Sequence, residues 1–238
     1  MTRRSTGLDN SSKHNKHHAN PNREGDDPDI APGLIAFTRD IANSRTHGLA
    51  GWFVARQGWL FFPLLTLEGL NLHMASVRTL LKPGTVRHQR VEAVMVISRL
   101  LGYVVIVLLL MSPGKAAAFI GLQLAVFGVL LGGAFAPNHK GMPIVPRTMK
   151  IDFLQRQVLM SRNIRGGVLT DFAMGGLNYQ IEHHLFPSMP RPNLKRAQPI
   201  VRAYCEKHHV PYHETGLFHS GAALVKGRQA AWGMRLWA

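Results

Sequence analysis

The 238-residue sequence is nearly devoid of cysteine, with Cys205 the single example. A disulfide framework and any multi-cysteine zinc or iron–sulfur site are thereby excluded. Acidic residues are scarce too, 13 Asp and Glu against 28 Lys and Arg, for a formal net charge of +15. Such an excess signals phosphate, carried either by nucleic acid or by a membrane surface. No zinc-finger spacing and no nucleic-acid-binding motif accompanies it. Also missing are a Ser/His/Asp nucleophile elbow and a phosphate-binding glycine loop. The first 30 residues hold no apolar run of the kind a signal peptide needs. What the chain does have is 46% hydrophobic residues, which places it outside the disordered class, and 13 histidines.

The apolar residues are segregated. Residues 116–135 (AAAFIGLQLAVFGVLLGGAF) carry no charge over 20 positions. As a helix at about 1.5 Å per residue they span about 30 Å, the thickness of a bilayer core. Gly121, Gly128, Gly132 and Gly133 within that stretch suit close packing against a neighbouring membrane helix. Residues 91–111 have Glu92 and Arg99 in their first half and are uncharged from Leu100 onward. The turn signal Met111-Ser112-Pro113-Gly114-Lys115 joins the two, and together they predict a transmembrane hairpin. A third stretch, residues 59–81, is long enough to cross but includes Pro63, Glu68, Asn71, His73 and Arg78. It reads either as a crossing helix with polar groups turned inward or as an interfacial segment.

Residues 1–33 hold five basic and five acidic side chains, so the +15 comes from Arg39 onward. Arg87 and Arg90 precede the hairpin, Lys140, Arg147 and Lys150 follow it, and only Lys115 lies at its far end. The positive-inside rule places both long polar flanks in the cytoplasm. Anionic lipid then accounts for the basic excess without nucleic acid.

Six histidines stand out. His14-Asn15-Lys16-His17-His18 forms an H-x-x-H-H frame, and helical spacing places its three rings on one face. Gln180-Ile181-Glu182-His183-His184 repeats the frame with Gln in first position. His139 lies between them, just beyond the last membrane segment. Neutral imidazoles suit iron, copper, nickel and zinc. A lone His-His pair is more often a solvated surface feature; two such frames beside membrane segments favour a metal site. His47, His73, His88, His208, His209, His213 and His219 lack a frame and read as ordinary surface, interface or core residues.

With KHNKHHANPN (residues 13–22), NHKG (138–141) and GLNYQIEHHLFP (176–187), the chain resembles the membrane-bound fatty acid desaturases, closest to the front-end type with a Q-x-x-H-H box. The similarity runs from about Lys13 to Gly216. The resemblance implies an all-α polytopic fold of one desaturase domain over residues 1–238, with a polar segment at 1–33, a membrane region at 58–137 and a cytosolic cap at 138–220. It further implies two irons held on the cytoplasmic side by His14, His17, His18, His139, His183 and His184. Asn138, Gln180 and Glu182 are candidate groups around those ligands that orient rings or water. Dioxygen is the implied co-substrate, an acyl-CoA or acyl-lipid the substrate, and a ferredoxin or small haem protein the electron donor.

The family ordinarily has two further membrane helices and a first box, H-D/E-x-x-H, before the second. Residues 1–12 contain no histidine and no apolar run. The expectation is therefore of the C-terminal two-thirds of a desaturase, a truncated or split-gene product. The rivals are a related histidine-box hydroxylase or sphingoid-base desaturase, and a membrane protein with incidental histidines.

If the second box and His139 face one metal site, an even number of crossings separates them. Residues 59–81 should then be interfacial or re-entrant. Pro190 and Pro192 announce a helix over 193–208, with Leu194, Ala197, Ile200, Val201 and Tyr204 on one face. Its Lys195, Arg196 and Arg202 suit an acidic donor protein or the phosphates of coenzyme A, or a solvated face near anionic lipid. Residues 228–238 (RQAAWGMRLWA) suggest an interfacial anchor.

Overall fold

A computed structural model describes residues 9–84, 86 and 88–220. The sequence-predicted anchor at 228–238 and the first eight residues of the polar segment 1–33 lie outside them. In chain order the elements are α1 (Asp9–Ala19), α2 (Arg39–Asn43), α3 (Gly48–Leu65), α4 (Glu68–Leu81), α5 (Gln89–Leu110), α6 (Pro113–His139), α7 (Phe153–Leu159), β1 (Asn163–Arg165), α8 (Val168–Ala173), α9 (Gln180–Leu185), α10 (Arg191–Lys207) and β2 (Glu214–Gly216). The fold is helical as expected, with one departure: β1 and β2, three residues each, pair in parallel. The chain divides into two compact units, residues 1–14 with 63–131, and residues 15–62 with 132–238.

The first unit contains the apolar hairpin. α5 and α6 are both long and apolar enough to cross a membrane. Over the uncharged runs from Leu100 on α5 and from Ala116 on α6 large apolar side chains are exposed, Leu101, Val105, Leu109 and Leu122 among them. A helix apolar all round fits a hydrocarbon solvent rather than water. The Tyr103 hydroxyl donates to Gln123 Oε1 across the hairpin. Interhelical hydrogen bonds of this kind hold membrane helices where burial supplies little driving force.

Of the glycines marked for close packing, Gly128 fills that role. A Cβ there would lie 2.2 Å from the Leu65 carbonyl oxygen and 2.8 Å from the Gly69 backbone nitrogen. A Cβ on Gly69 would lie a comparable 2.4 Å from the Leu124 carbonyl oxygen. Gly121 and Gly133 face open space. Residues 59–81 are not one straight helix. α3 starts at Gly48, ahead of the sequence-predicted boundary, and ends at Leu65. The chain then bends by 78° before α4, as a broken span or a re-entrant loop does. Pro63 lacks a donor for the helical ladder, and Thr66 and Leu67 close short turns onto Pro63 and Leu64.

The second unit is built from short helices around buried apolar clusters. Val158, Ile181, Val201 and Cys205 form one, joining α7, α9 and α10. Val145, Leu159 and Met160 form another. The buried stripe of α10 runs through Leu194, Val201 and Cys205. Ile200 and Tyr204, expected on it, are exposed, since the stripe follows a wider period than the sequence pattern suggested. Asp152 caps α7 by accepting from the Gln155 backbone N–H. Arg162 caps the end of α6: its Nε donates to the Pro137 carbonyl at 2.7 Å and its Nη2 to that of Lys140. A cation on the last carbonyls of a helix is favourable. Burial pushes this guanidinium down to about 10.

Candidate metal centre

α1, the end of α6 and α9 bring the predicted ligands His17, His18, His139, His183 and His184 together, all buried. Their rings interleave, with centroids 4.7 Å apart for His17–His139, 4.8 Å for His139–His184 and 5.1 Å for His17–His184. His18 lies 4.7 Å from His183 and 4.5 Å from His184, so a pair adjoins the triangle. The ligating nitrogens of His17, His139 and His184 all fall within 4.8 Å of one another. His14 is exposed and precedes His18 by one turn of α1. His73, on α4, faces the Phe127 ring and is not part of this group.

The Nδ1 atoms of the triangle are committed elsewhere. His17 Nδ1 lies 3.0 Å from both carboxylate oxygens of Asp27. Asp27 also accepts from the backbone N–H groups of Asn22 at 2.7 Å and Asp29 at 2.9 Å, which fixes it rigidly. His139 Nδ1 faces the Met160 carbonyl at 3.3 Å. His184 Nδ1 faces Gln157 Oε1 at 3.1 Å, and Gln157 Nε2 donates to the His18 carbonyl at 2.9 Å. An amide that donates from nitrogen must present oxygen to His184. Each partner is an acceptor, so each Nδ1 carries the hydrogen and each Nε2 its lone pair.

Two of those lone pairs, on His139 Nε2 and His184 Nε2, face each other at 3.1 Å. Bare, they repel. Nitrogens bound to one metal at about 2.0–2.1 Å and an angle near 90–110° lie about 3 Å apart. The donor set and its spacing therefore fit a shared cation. Burial, aided by the neighbouring imidazoles, holds His184 well below the usual histidine range, and the neutral ring is the one that ligates.

Around the rings, Gln180 Nε2 lies 3.0 Å from His139 Nε2, and Gln180 Oε1 accepts from Asn138 Nδ2 at 3.1 Å. Asn138 also reaches the carbonyls of Ala134 and Leu177 at 3.0 Å each, tying the end of α6 to the approach to α9. Glu182 is fully buried, yet its hydrogen bonds run to Asn163 Nδ2 at 2.7 Å and the Tyr212 hydroxyl at 2.6 Å. Asp27 and Gln157 are the residues that sequence reasoning missed. In the sequence Asp27 is only one of the five acidic residues of the segment 1–33, and Gln157 belongs to no motif. On α10, Lys195 pairs with Asp171 and Arg202 with Glu214, which leaves the predicted docking face less free cation than its sequence suggested.

The sequence model described as "Fatty acid desaturase" matches residues 9–216. The chain belongs to that family. It is 32% identical over 236 residues to an acyl-lipid (9-3)-desaturase of Physcomitrium patens, covering 90% of this chain and 42% of that one. It is 30% identical to an acyl-lipid (9-3)-desaturase of Borago officinalis, over 84% of this chain and 47% of the relative. A Delta(8)-fatty-acid desaturase of Helianthus annuus is 26% identical, over 92% and 50%. The chain thus spans about half the length of the curated desaturases it matches. No solved structure matches it. Family membership and two apolar helices of crossing length place this desaturase-family chain at a membrane.

Proposed function

We propose that this chain forms the metal-holding part of an oxygen-dependent fatty acid desaturase that introduces a double bond into an acyl chain. The observation that carries the reading is the convergence of buried ring nitrogens of His17, His139 and His184 within 4.8 Å of one another, with the Nδ1 of each ring facing an acceptor. His18 and His183, beside that triangle, are the candidate ligands of a second ion, with His14 one turn ahead on α1 as a further one. When bound, iron supplies the oxidising power that removal of hydrogen from an unactivated carbon demands and that no side-chain acid or base provides.

The chain's own residues hold the rings. Asp27, Gln157 and the Met160 carbonyl fix the tautomers, and Asn138 keeps the Gln180 amide against His139. Named acyl-lipid desaturases among the relatives favour an acyl-lipid over an acyl-CoA substrate. The clustering of Lys and Arg on the flanks of the hairpin favours a cytoplasmic metal site. A separate ferredoxin or small haem protein would supply the electrons.

The test is iron content of the purified chain, with the acyl profile of expressing membranes. Close to two irons per chain, lost in the His183→Ala, His184→Ala double variant, supports the reading. No specific iron uptake sinks it. New unsaturated acyl chains that vanish in the double variant establish turnover, whereas hydroxylated products assign the chain to a hydroxylase instead.

A further inference from the structure

β1 and β2 run parallel, in a register that pairs Arg165 with Gly216. The two strands therefore end side by side. Each leads at once into helical backbone: α8 after Gly166 and Gly167, and a turn over residues 217–220 after β2. Both present large apolar side chains outward. Val168 is 79% exposed, Leu169 84%, Phe172 86% and Phe218 91%. α8 is inside out for a water-facing helix. Its acid, Asp171, turns inward and accepts from Asn178, Tyr179 and Lys195.

The patch is fastened to the end of the apolar helix α6. Ser220 Oγ, itself buried, donates to the Pro137 carbonyl at 2.7 Å. At the start of β1, the Arg162 backbone N–H donates to the Asn138 carbonyl at 3.0 Å and its Nε to Pro137. The apolar run of α6 ends at Phe135, two residues before Pro137. Arg165, exposed and adjacent, suits an anionic headgroup.

We infer that α8 and the turn at 217–220 together form an interfacial surface that sinks Val168, Leu169, Phe172 and Phe218 into the lipid bilayer. Such elements lie about 5–10 Å into the headgroup and acyl boundary. Continuity with a membrane-crossing helix is what selects lipid over a protein partner. The surface would also fix the height of α9, since Asn178 and Tyr179, which clasp Asp171, lead directly into it.

The test uses the full chain in vesicles of phosphatidylcholine and phosphatidylglycerol. Single cysteines at Phe172 or Phe218, in a Cys205→Ala background, carry an NBD label. The expected result is loss of emission with lipids brominated near the headgroup end of the acyl chains, and none with aqueous iodide. Quenching of either label by iodide overturns the inference. Protection from both quenchers overturns it too, and points to a protein covering the patch. An acyl-chain diazirine lipid tests the unsubstituted chain in parallel: adducts within residues 166–173 and 217–220 are expected, and their absence counts against the surface.

Discussion

His184 and Gln157 share a hydrogen bond, Nδ1 to Oε1 at 3.1 Å, while the same amide donates from Nε2 to the His18 carbonyl at 2.9 Å. A single buried side chain thereby links the third histidine box to the helix carrying the second. The link is directional, because the amide oxygen accepts from His184 while the amide nitrogen donates to the His18 carbonyl.

Replacing Gln157 should therefore loosen the site without removing a ligand. Gln157→Leu deprives His184 of the acceptor that fixes its tautomer and leaves the His18 carbonyl without this donor. Loss of such a partner typically lowers metal affinity about 10–100-fold. Gln157→Glu keeps the acceptor for His184 but not the donor, and should fall between wild type and Gln157→Leu. Competition between the purified protein and a chelator for iron or cobalt measures the order.

Asp27 supports a sharper comparison. Its carboxylate is buried and takes His17 Nδ1 and two backbone N–H groups, whereas Asp29 is 45% exposed and 3.5 Å from the same ring nitrogen. Asp27→Asn substitutes a donor for an acceptor among groups that all donate. It should lower metal affinity by about 10–100-fold, in the range set by lost outer partners of ligands. Asp29→Asn should change it little. Equal effects from the two would refute the assignment of Asp27 as the group that orients His17.

The histidine cluster was legible in the sequence because helical spacing places His17 and His18 together and a repeated frame marks His183 and His184. The hairpin was legible because bilayer thickness sets its length and hydrocarbon its composition. Asp27 and Gln157 were not, since they reach the rings through contacts spanning 10 and 27 residues that no local pattern records. The stripe on α10 was misjudged at Ile200 and Tyr204 because apolarity does not say which neighbour will cover a side chain. The strand pair was invisible for the same reason: three-residue segments carry no periodicity, and their partners are far apart in sequence.

Two glycines of one membrane helix should respond differently to the same change. Gly128→Leu drives a side chain into the Leu65 carbonyl and the Gly69 backbone, which cannot move aside as a flexible side chain would. Overpacking of this kind costs about 1–3 kcal/mol and sometimes more. A Cβ at Gly121 meets nothing within 4 Å, so Gly121→Leu should be tolerated. Thermal unfolding in detergent, followed for both variants, checks the contrast.

Cys205 is fully buried among Val158, Ile181 and Val201, and burial, with Glu182 nearby, pushes its thiol above the usual range. Thiolate is the reacting form, so the folded chain should resist maleimide at neutral pH. Labelling should appear only as α10 leaves α7 and α9, which makes the modification rate a probe of cap opening. Rapid labelling of the native protein would contradict the packing described.

Tyr212 and Asn163 together hold the buried Glu182 carboxyl. Burial raises that carboxyl above its usual range, and the hydrogen bonds from these two partners oppose the rise. Tyr212→Phe removes one donor and should destabilise the cap by about 1.5–3 kcal/mol, the range for a hydrogen bond to a charged group. The sign with pH follows from the raised folded pKa. Such a group contributes its stability while protonated, below the unfolded value, and loses it as pH rises through the folded value. Without the hydroxyl the folded value rises further, so the loss in Tyr212→Phe should be larger at neutral pH than in the acidic carboxylate range. A deficit that is flat across pH would mean that Tyr212 acts through packing alone. Denaturant unfolding of both proteins across that range, followed by circular dichroism, measures it.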